Sequence, residues 1–544
     1  VTGSGANNSG TQVGSSPVMR TDPLQKDGEL EVIGANIEYQ LNDNWSLEFD
    51  IASSKSKKHD QRGESYAGLA RSGALNNSQL GSRDFVMTPD GIFFTGSKGL
   101  EAFADPNLLQ LAGPQEWGGS LASLADQFET TVLQANGKPF TYVNAQDGFL
   151  NYADFTEELK TYRLETVGLI EDLFINKVTL GVNYSDRYKD KENKGFFATA
   201  DSYPFSEAIP ANYVYGLADL SWAGFGHIVA YDGFAPFRDG TYTLNDAGLL
   251  EPDRLGDSFN VEEEVTTFYI KGDFENEIAG VPYTGNIGLQ YVRTEQSSDG
   301  YLGIVGSNYT VCDSDNNNVV DADCSISNGA SYNHVLPSLN LSFEVGDNKY
   351  IRAAANKTIS RARIDQMKAS GFVKFGQDIE QVAIPNTIAD VENYGSPWSK
   401  FTGNPELRPL ESNNFDLSFE NYFEMDGYVS LAMFYKDLVN WTRDGGSLIN
   451  FRNDETSGGA DYFVPGFHDR IVPQDGVYGP ADVFYSAGDL ITPPDYGYYS
   501  FFEDGLKGKV RGLEFTANAP LSMLHDSLDA VSYTHLRAHE TDSY

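Results

Sequence analysis

Few residues in this chain have the types and spacing that chemistry needs. Gly63-Glu64-Ser65-Tyr66-Ala67 approaches a nucleophile elbow but lacks the final glycine that allows the sharp turn exposing the serine. His535 and His539 have the i, i+4 spacing of a zinc pair without the glutamate of H-E-x-x-H. Asp313, Asp315, Asn317, Asp321 and Asp323 are better placed. Oxygen donors at alternate positions, a carbonyl at Val319 and an apolar Val320 copy the ligand order of a calcium loop. Against that, Asn318 stands where the loop turns on Gly, and Cys324 where a bidentate Glu belongs. The competing reading is a solvated acidic loop closed by one local disulfide, Cys312 to Cys324, in an oxidising compartment. Trp117, Tyr142, Trp222, Trp398 and Trp441 could stack on sugar rings while nearby Asn and Asp bond the hydroxyls; packing of loop on loop is the alternative. No catalytic residue and no resident cofactor are expected, apart from calcium in that acidic loop.

The elements that must position these residues follow from composition. The chain has 544 residues and a net charge of −40, which excludes a backbone-driven nucleic-acid binder. With 54 Gly, 31 Tyr, 34 Phe and many Asn and Asp, it favours strands and turns over helices. No run reaches the roughly 18 apolar residues of a membrane helix. A transmembrane β-barrel remains open, because only alternate strand residues face lipid. The opening VTGSGANNSGTQVG has neither the basic start nor the apolar stretch of a signal peptide.

A two-residue period recurs along the chain. Ile33, Ala35, Ile37, Tyr39 and Leu41 alternate with polar or small residues; after Asn42-Asp43-Asn44, Trp45, Leu47, Phe49 and Ile51 do the same. Similar runs start at Val178, Phe268, Ile287, Leu339, Ile351, Phe415, Val429 and Leu513, giving about eleven strands. Short turns alternate with long connections, approximately 56–157, 188–262, 296–330, 360–412 and 444–507. That places every tight turn at one end of a sheet and every long loop at the other. Rings beside the turns, such as Tyr39 and Trp45 or Phe343 and Tyr350, suit an interfacial aromatic girdle. Within the first long loop, Ser120 to Gln134 reads as a short capped helix closed by Asn136-Gly137. The fold class is therefore all-β, an antiparallel transmembrane barrel with long loops.

Residues 403–423, GNPELRPLESNNFDLSFENYF, resemble the G-N-P-x-L-K/R-P-x-x-S-x-N-x-D-L-x-x-E-x-Y-F block of TonB-dependent outer-membrane receptors. The strand YVSLAMFYKDLVN at 428–440, and the stretches VLPSLNL at 335–341 and VRGLEF at 510–515, fit the same family. Its large-looped carbohydrate-uptake branch is the nearer likeness. The resemblance implies a 22-stranded barrel in the bacterial outer membrane, tight turns towards the periplasm and loops outside. It also implies a TonB partner acting through a plug domain, surrounding lipid, and an extracellular small-molecule or oligosaccharide ligand. No plug or TonB box has a match here, so residues 1–530 are expected to be a partial barrel of about eleven strands. Residues 531–544 lack apolar alternation and resemble translated sequencing-adapter tails, which marks them as foreign.

Overall fold

The computed structural model describes residues 9–15, 18–69, 81–88, 91–98, 101–111, 129–133, 139–143, 147–171, 173–202, 207–223, 226–246, 252–305, 324–375, 396, 398–423, 427–460, 496–520 and 531–540. Most of them are in strands. In chain order, those that matter here begin with β1 (Leu24–Asn42), β2 (Trp45–Gly68), β3 (Gly148–Leu169) and β4 (Lys177–Ala200). A small hairpin follows, β5 (Val214–Asp219) and β6 (His227–Tyr231). Then come β7 (Phe259–Ile278), β8 (Val281–Val305), β9 (Ser325–Gly346) and β10 (Lys349–Ser360). A second hairpin, β11 (Gly371–Phe375) and β12 (Trp398–Thr402), precedes β13 (Leu410–Phe423), β14 (Gly427–Asn450), β15 (Tyr496–Pro520) and β16 (Val531–Glu540). All but the two hairpins bond in sequence as one antiparallel meander, the wall of the barrel.

Ladder register sorts the side chains of this wall into two faces, because successive residues of a strand point to opposite sides. One continuous row across seven strands is Ile37, Phe49, Leu164, Val182, Phe268, Tyr291 and Val335. A second is Leu341, Ala353, Leu417, Met433 and Leu513. These rows are apolar and largely exposed, as a lipid-facing band must be. The residues between them make the other face: Asp50, Arg163, Asn183, Thr267, Val292 and His334 form one such row. That face lines the interior.

Strands run well past the apolar band, which shortens the connections to 69–147, 201–258, 306–324, 361–409 and 451–495. The sequence pattern misses this because alternation fades above the band. On β8 the outer face changes from Ile287, Leu289 and Tyr291 to Arg293, Glu295, Ser297 and Asp299. The inner face there, Thr294, Gln296 and Ser298, is buried although polar. Short and long connections still alternate. The tight turn Ala279-Gly280 has φ of 52° and 83°, the left-handed pair a two-residue hairpin turn requires.

One other expectation changes. Glu129–Leu133 is a strand paired with Pro139–Val143, not the end of a helix from Ser120; the run Thr130-Thr131-Val132 is β-branched, which favours extended backbone. The remainder of that segment lies outside the described residues. The backbone of Val531–Glu540 pairs with Arg511–Pro520 of β15 despite its lack of alternation.

Interior packing is concentrated at the long-loop end. Phe259 and Val261 of β7 meet Ile364, Met367 and Leu407 in one cluster, all buried. A larger cluster joins Ala67, Ala198 and Ala200 at the wall top to Leu109, Leu111, Tyr213, Val229 and Tyr231 of the loops. Hairpin β11–β12 bridges the mouth: β11 pairs in parallel with β8, and β12 in parallel with β15. Between those two strands the wall itself takes the longer route through β9, β10, β13 and β14.

Candidate functional site

The Asn-Pro block is where sequence and structure meet most directly. Leu407 is fully buried under the mouth, and the main-chain carbonyls of Pro405 and Leu407 accept from the Gln296 side chain, the latter at 2.9 Å. Asn404 donates to the carbonyl of Phe502 at 2.9 Å. Arg408 grips Asp504 through Nε at 3.0 Å, Nη2 at 2.8 Å and its main-chain N–H at 2.8 Å. A Cβ on Gly403 would sit 2.2 Å from the carbonyl oxygen of Lys368, so glycine is required where the block passes beneath residues 366–370. Burial opposes ionisation of Asp504, but the hydrogen bonds and charge of Arg408 prevail and hold its carboxyl below the usual range. The block clamps β8 to β15 across the interior.

Beside it, Lys400 of β12 is 2% exposed and Asp454 not at all. The ammonium donates to Asp454 at 2.7 Å, Thr456 Oγ1 at 2.8 Å and Ser457 Oγ at 2.6 Å, using all three of its protons. Burial pushes this ammonium pKa down and the Asp454 charge opposes the shift. Trp398 is wholly buried and stacks on Phe451, with ring centroids 5.1 Å apart and planes 14° apart.

Among the described residues, the rings expected to stack on sugars do not share one environment. Trp398 is core. Trp222 is 84% exposed just beyond the tip-side end of β5, and Tyr215 on that strand is 75% exposed. Val229 and Tyr231 of the hairpin are buried in the loop cluster, with Val214 and Ile228 packed against it, which anchors the strands below these rings. Trp441 lies opposite Leu506 in the β14–β15 ladder and is 43% exposed. Tyr142 falls in the strand Pro139–Val143, its side chain outside the described residues, as is all of Trp117. Cys324 is buried and disulfide-bonded, and Cys312 is the only other cysteine of the sequence. Asp313, Asp315, Asn317, Asp321 and Asp323 lie outside the described residues, among which no cluster of metal-ligating groups occurs. Ser65 is buried in β2 and bonds the hydroxyls of Tyr242 at 2.9 Å and Tyr231 at 3.0 Å, a structural role without a base.

On the interior wall, sequence reasoning missed a set of cations. Lys58, Phe155, Lys191 and Phe259 make one row across β2, β3, β4 and β7. The ammonium of Lys58 lies 5.0 Å from the centre of the Phe155 ring and that of Lys191 5.7 Å from it. Below Lys191 on the same face come Lys189 and Arg187, and Arg187 binds Glu157. The signal was present as Asp186-Arg187-Tyr188-Lys189-Asp190-Lys191-Glu192: on a strand, alternate positions send the acids to one face and the bases to the other. Lower on that wall, Arg163 is matched by Asp50 and by Glu48 at 2.6 Å, and Tyr269 donates to Glu165 at 2.6 Å.

Comparison with known proteins gives one family. The family model described as TonB dependent receptor-like, beta-barrel matches residues 118–544. No curated protein matches the chain. Among solved structures, the ferric-catecholate import receptor Fiu from E. coli K12 is 11% identical, with 91% of this chain and 45% of that one covered and a TM-score of 0.37. The siderophore receptor PirA from Acinetobacter baumannii is 13% identical, with 94% and 60% covered and a TM-score of 0.30. The hemophore receptor HasR from Serratia marcescens is 9% identical, with 90% and 52% covered and a TM-score of 0.26. This chain thus spans about half to three fifths of the length of those structures.

Proposed function

The chain belongs to the TonB-dependent receptor-like β-barrel family, and from that premise we propose that it forms barrel wall and ligand-capturing loops of an energised importer in the Gram-negative outer membrane. The observation that carries this reading is the two-faced wall: an exposed apolar band outside, and inside it a polar face roofed by packed loops. Such a wall is stable only where lipid covers the band. Tight turns then face the periplasm and the loops face outwards. TonB, drawing on the inner-membrane proton gradient, would act through a plug domain to open the interior to the bound ligand.

For the ligand we propose an oligosaccharide. Trp222 and Tyr215 present flat apolar rings on a fixed hairpin, suited to the C–H faces of sugars. A ferric siderophore is the second reading, favoured by the interior cations around Phe155. The test is accumulation of labelled oligosaccharides and ferric siderophores by cells carrying the full-length receptor, with and without TonB and with a proton uncoupler. TonB-dependent uptake supports the importer. Uptake that ignores both TonB and the uncoupler would indicate a passive channel instead.

A further inference from the structure

We infer that the interior wall of β2, β3 and β4 holds a binding site for a polyanion, a ligand with clustered carboxylate, phosphate or phenolate oxygens. The inference deepens the importer reading and rests on it for the accessibility of the interior.

Asp60 is shared by Lys58 at 3.1 Å, Arg62 at 3.6 Å and Lys26 at 3.7 Å. Glu157 is shared by Arg187 and, at 3.9 Å, Lys189. Asp257 is shared by Lys191 and, at 3.2 Å, Lys368. Among the described residues, seven cations thus meet three carboxylates in one patch of a chain whose net charge is −40. Elsewhere on the same face, by contrast, Arg163 sits among Glu48, Asp50 and Glu165, and Arg361 pairs with Glu263 at 2.8 Å. A local surplus of four like charges is repulsive and is relieved by an anion that brings several oxygens at once.

The ladder puts Lys58, Phe155 and Lys191 abreast, with Lys189 and Arg187 at successive inward positions of β4, so the donors form a grid at strand spacing rather than a flexible cluster. Partial burial supports the same point: Lys191 is 17% and Lys189 25% exposed, which lowers the effective dielectric and strengthens charge-assisted bonds. The Phe155 ring between two ammonium groups offers an apolar floor to the carbon skeleton that carries the anions. An acidic sugar and a small polycarboxylate or phenolate chelator share this chemistry.

The experiment is calorimetric titration of the full chain in detergent with trigalacturonate, citrate and maltotriose, at low and at physiological salt. The informative variant is the double substitution Lys189→Gln with Lys191→Gln. It leaves Arg187 on Glu157 and Lys368 on Asp257, so no carboxylate loses its last cation. Trigalacturonate or citrate should bind, at least tenfold more weakly in the double variant and more weakly at higher salt, while Lys191→Arg stays within a few-fold of the parent. Trigalacturonate alone would point to an acidic oligosaccharide, and citrate alone to a small chelator. Equal binding of maltotriose and trigalacturonate, unchanged anion binding in the double variant, or no anion binding by folded chain would overturn the site. None of those results bears on TonB-dependent uptake, which tests the importer separately.

Discussion

The two ends of this wall follow opposite rules. At the short-turn end, apolar side chains face outwards and stay exposed, and the interior is lined by groups such as Asn286, Asn340, Ser342 and Arg352 around a recess of about 680 Å³. At the long-loop end, the outer face is charged and the inner face is packed: Val261, Leu407, Trp398 and Phe451 are all but inaccessible. One strand can do both, as β8 does on either side of Tyr291. The lower half depends on lipid for its stability, and the upper half on its own core.

That contrast can be broken by experiment. The largest effect is all-or-none labelling on intact cells, after replacing Cys312 and Cys324. Tyr215→Cys and Trp222→Cys, on the exposed hairpin, should react fully with an impermeant thiol reagent, whereas Asp43→Cys and Asp347→Cys, in tight turns, should not. The reverse pattern would invert the barrel.

Next is Asp454→Ala, which strands the Lys400 ammonium in a buried site and should cost about 3–5 kcal/mol in unfolding of the purified protein. A comparable loss, about 3–5 kcal/mol, is expected for Trp398→Ala through the cavity left against Phe451. If either variant unfolds like the parent, the upper core is not what holds the mouth.

A smaller change should come from the lower half. Leu289→Arg, in the apolar band, should destabilise the protein by about 2–4 kcal/mol in a bilayer. In detergent the loss should be smaller, because a micelle deforms more readily than a bilayer to let water reach the guanidinium. No loss in the bilayer would mean that lipid does not cover the band.

The smallest effect is a pH dependence at the mouth. Arg408 lowers the folded pKa of Asp504, so the pair stabilises the native state above the ordinary carboxylate range, and this contribution disappears as pH falls through the depressed value. Partial exposure of Arg408 limits it to about 1 kcal/mol or less. Asp504→Asn should flatten the acid limb of a melting-temperature profile; an unchanged limb would remove the clamp from consideration.

Strand identity, the direction of the hairpins and the apolar band were legible from the residues themselves, since a side-chain period of two and a turn such as Ala279-Gly280 are local properties. The glycine of the Asn-Pro block could be flagged by pattern, but its reason, the Lys368 carbonyl 2.2 Å from where a Cβ would lie, appears only when residues far apart are brought together. The upper extensions of the strands escaped because both faces there carry polar groups, and alternation needs one face in lipid or core and the other in water. For the same reason Trp398 and Trp222 looked alike: ring type says nothing of whether Phe451 or solvent lies opposite. The interior cations were written in the sequence as alternating charge from Asp186 to Glu192. Which face of β4 turned inwards, and that Lys58, Phe155 and Lys368 would join it there, was decided by ladder register and loop packing, which no local pattern encodes.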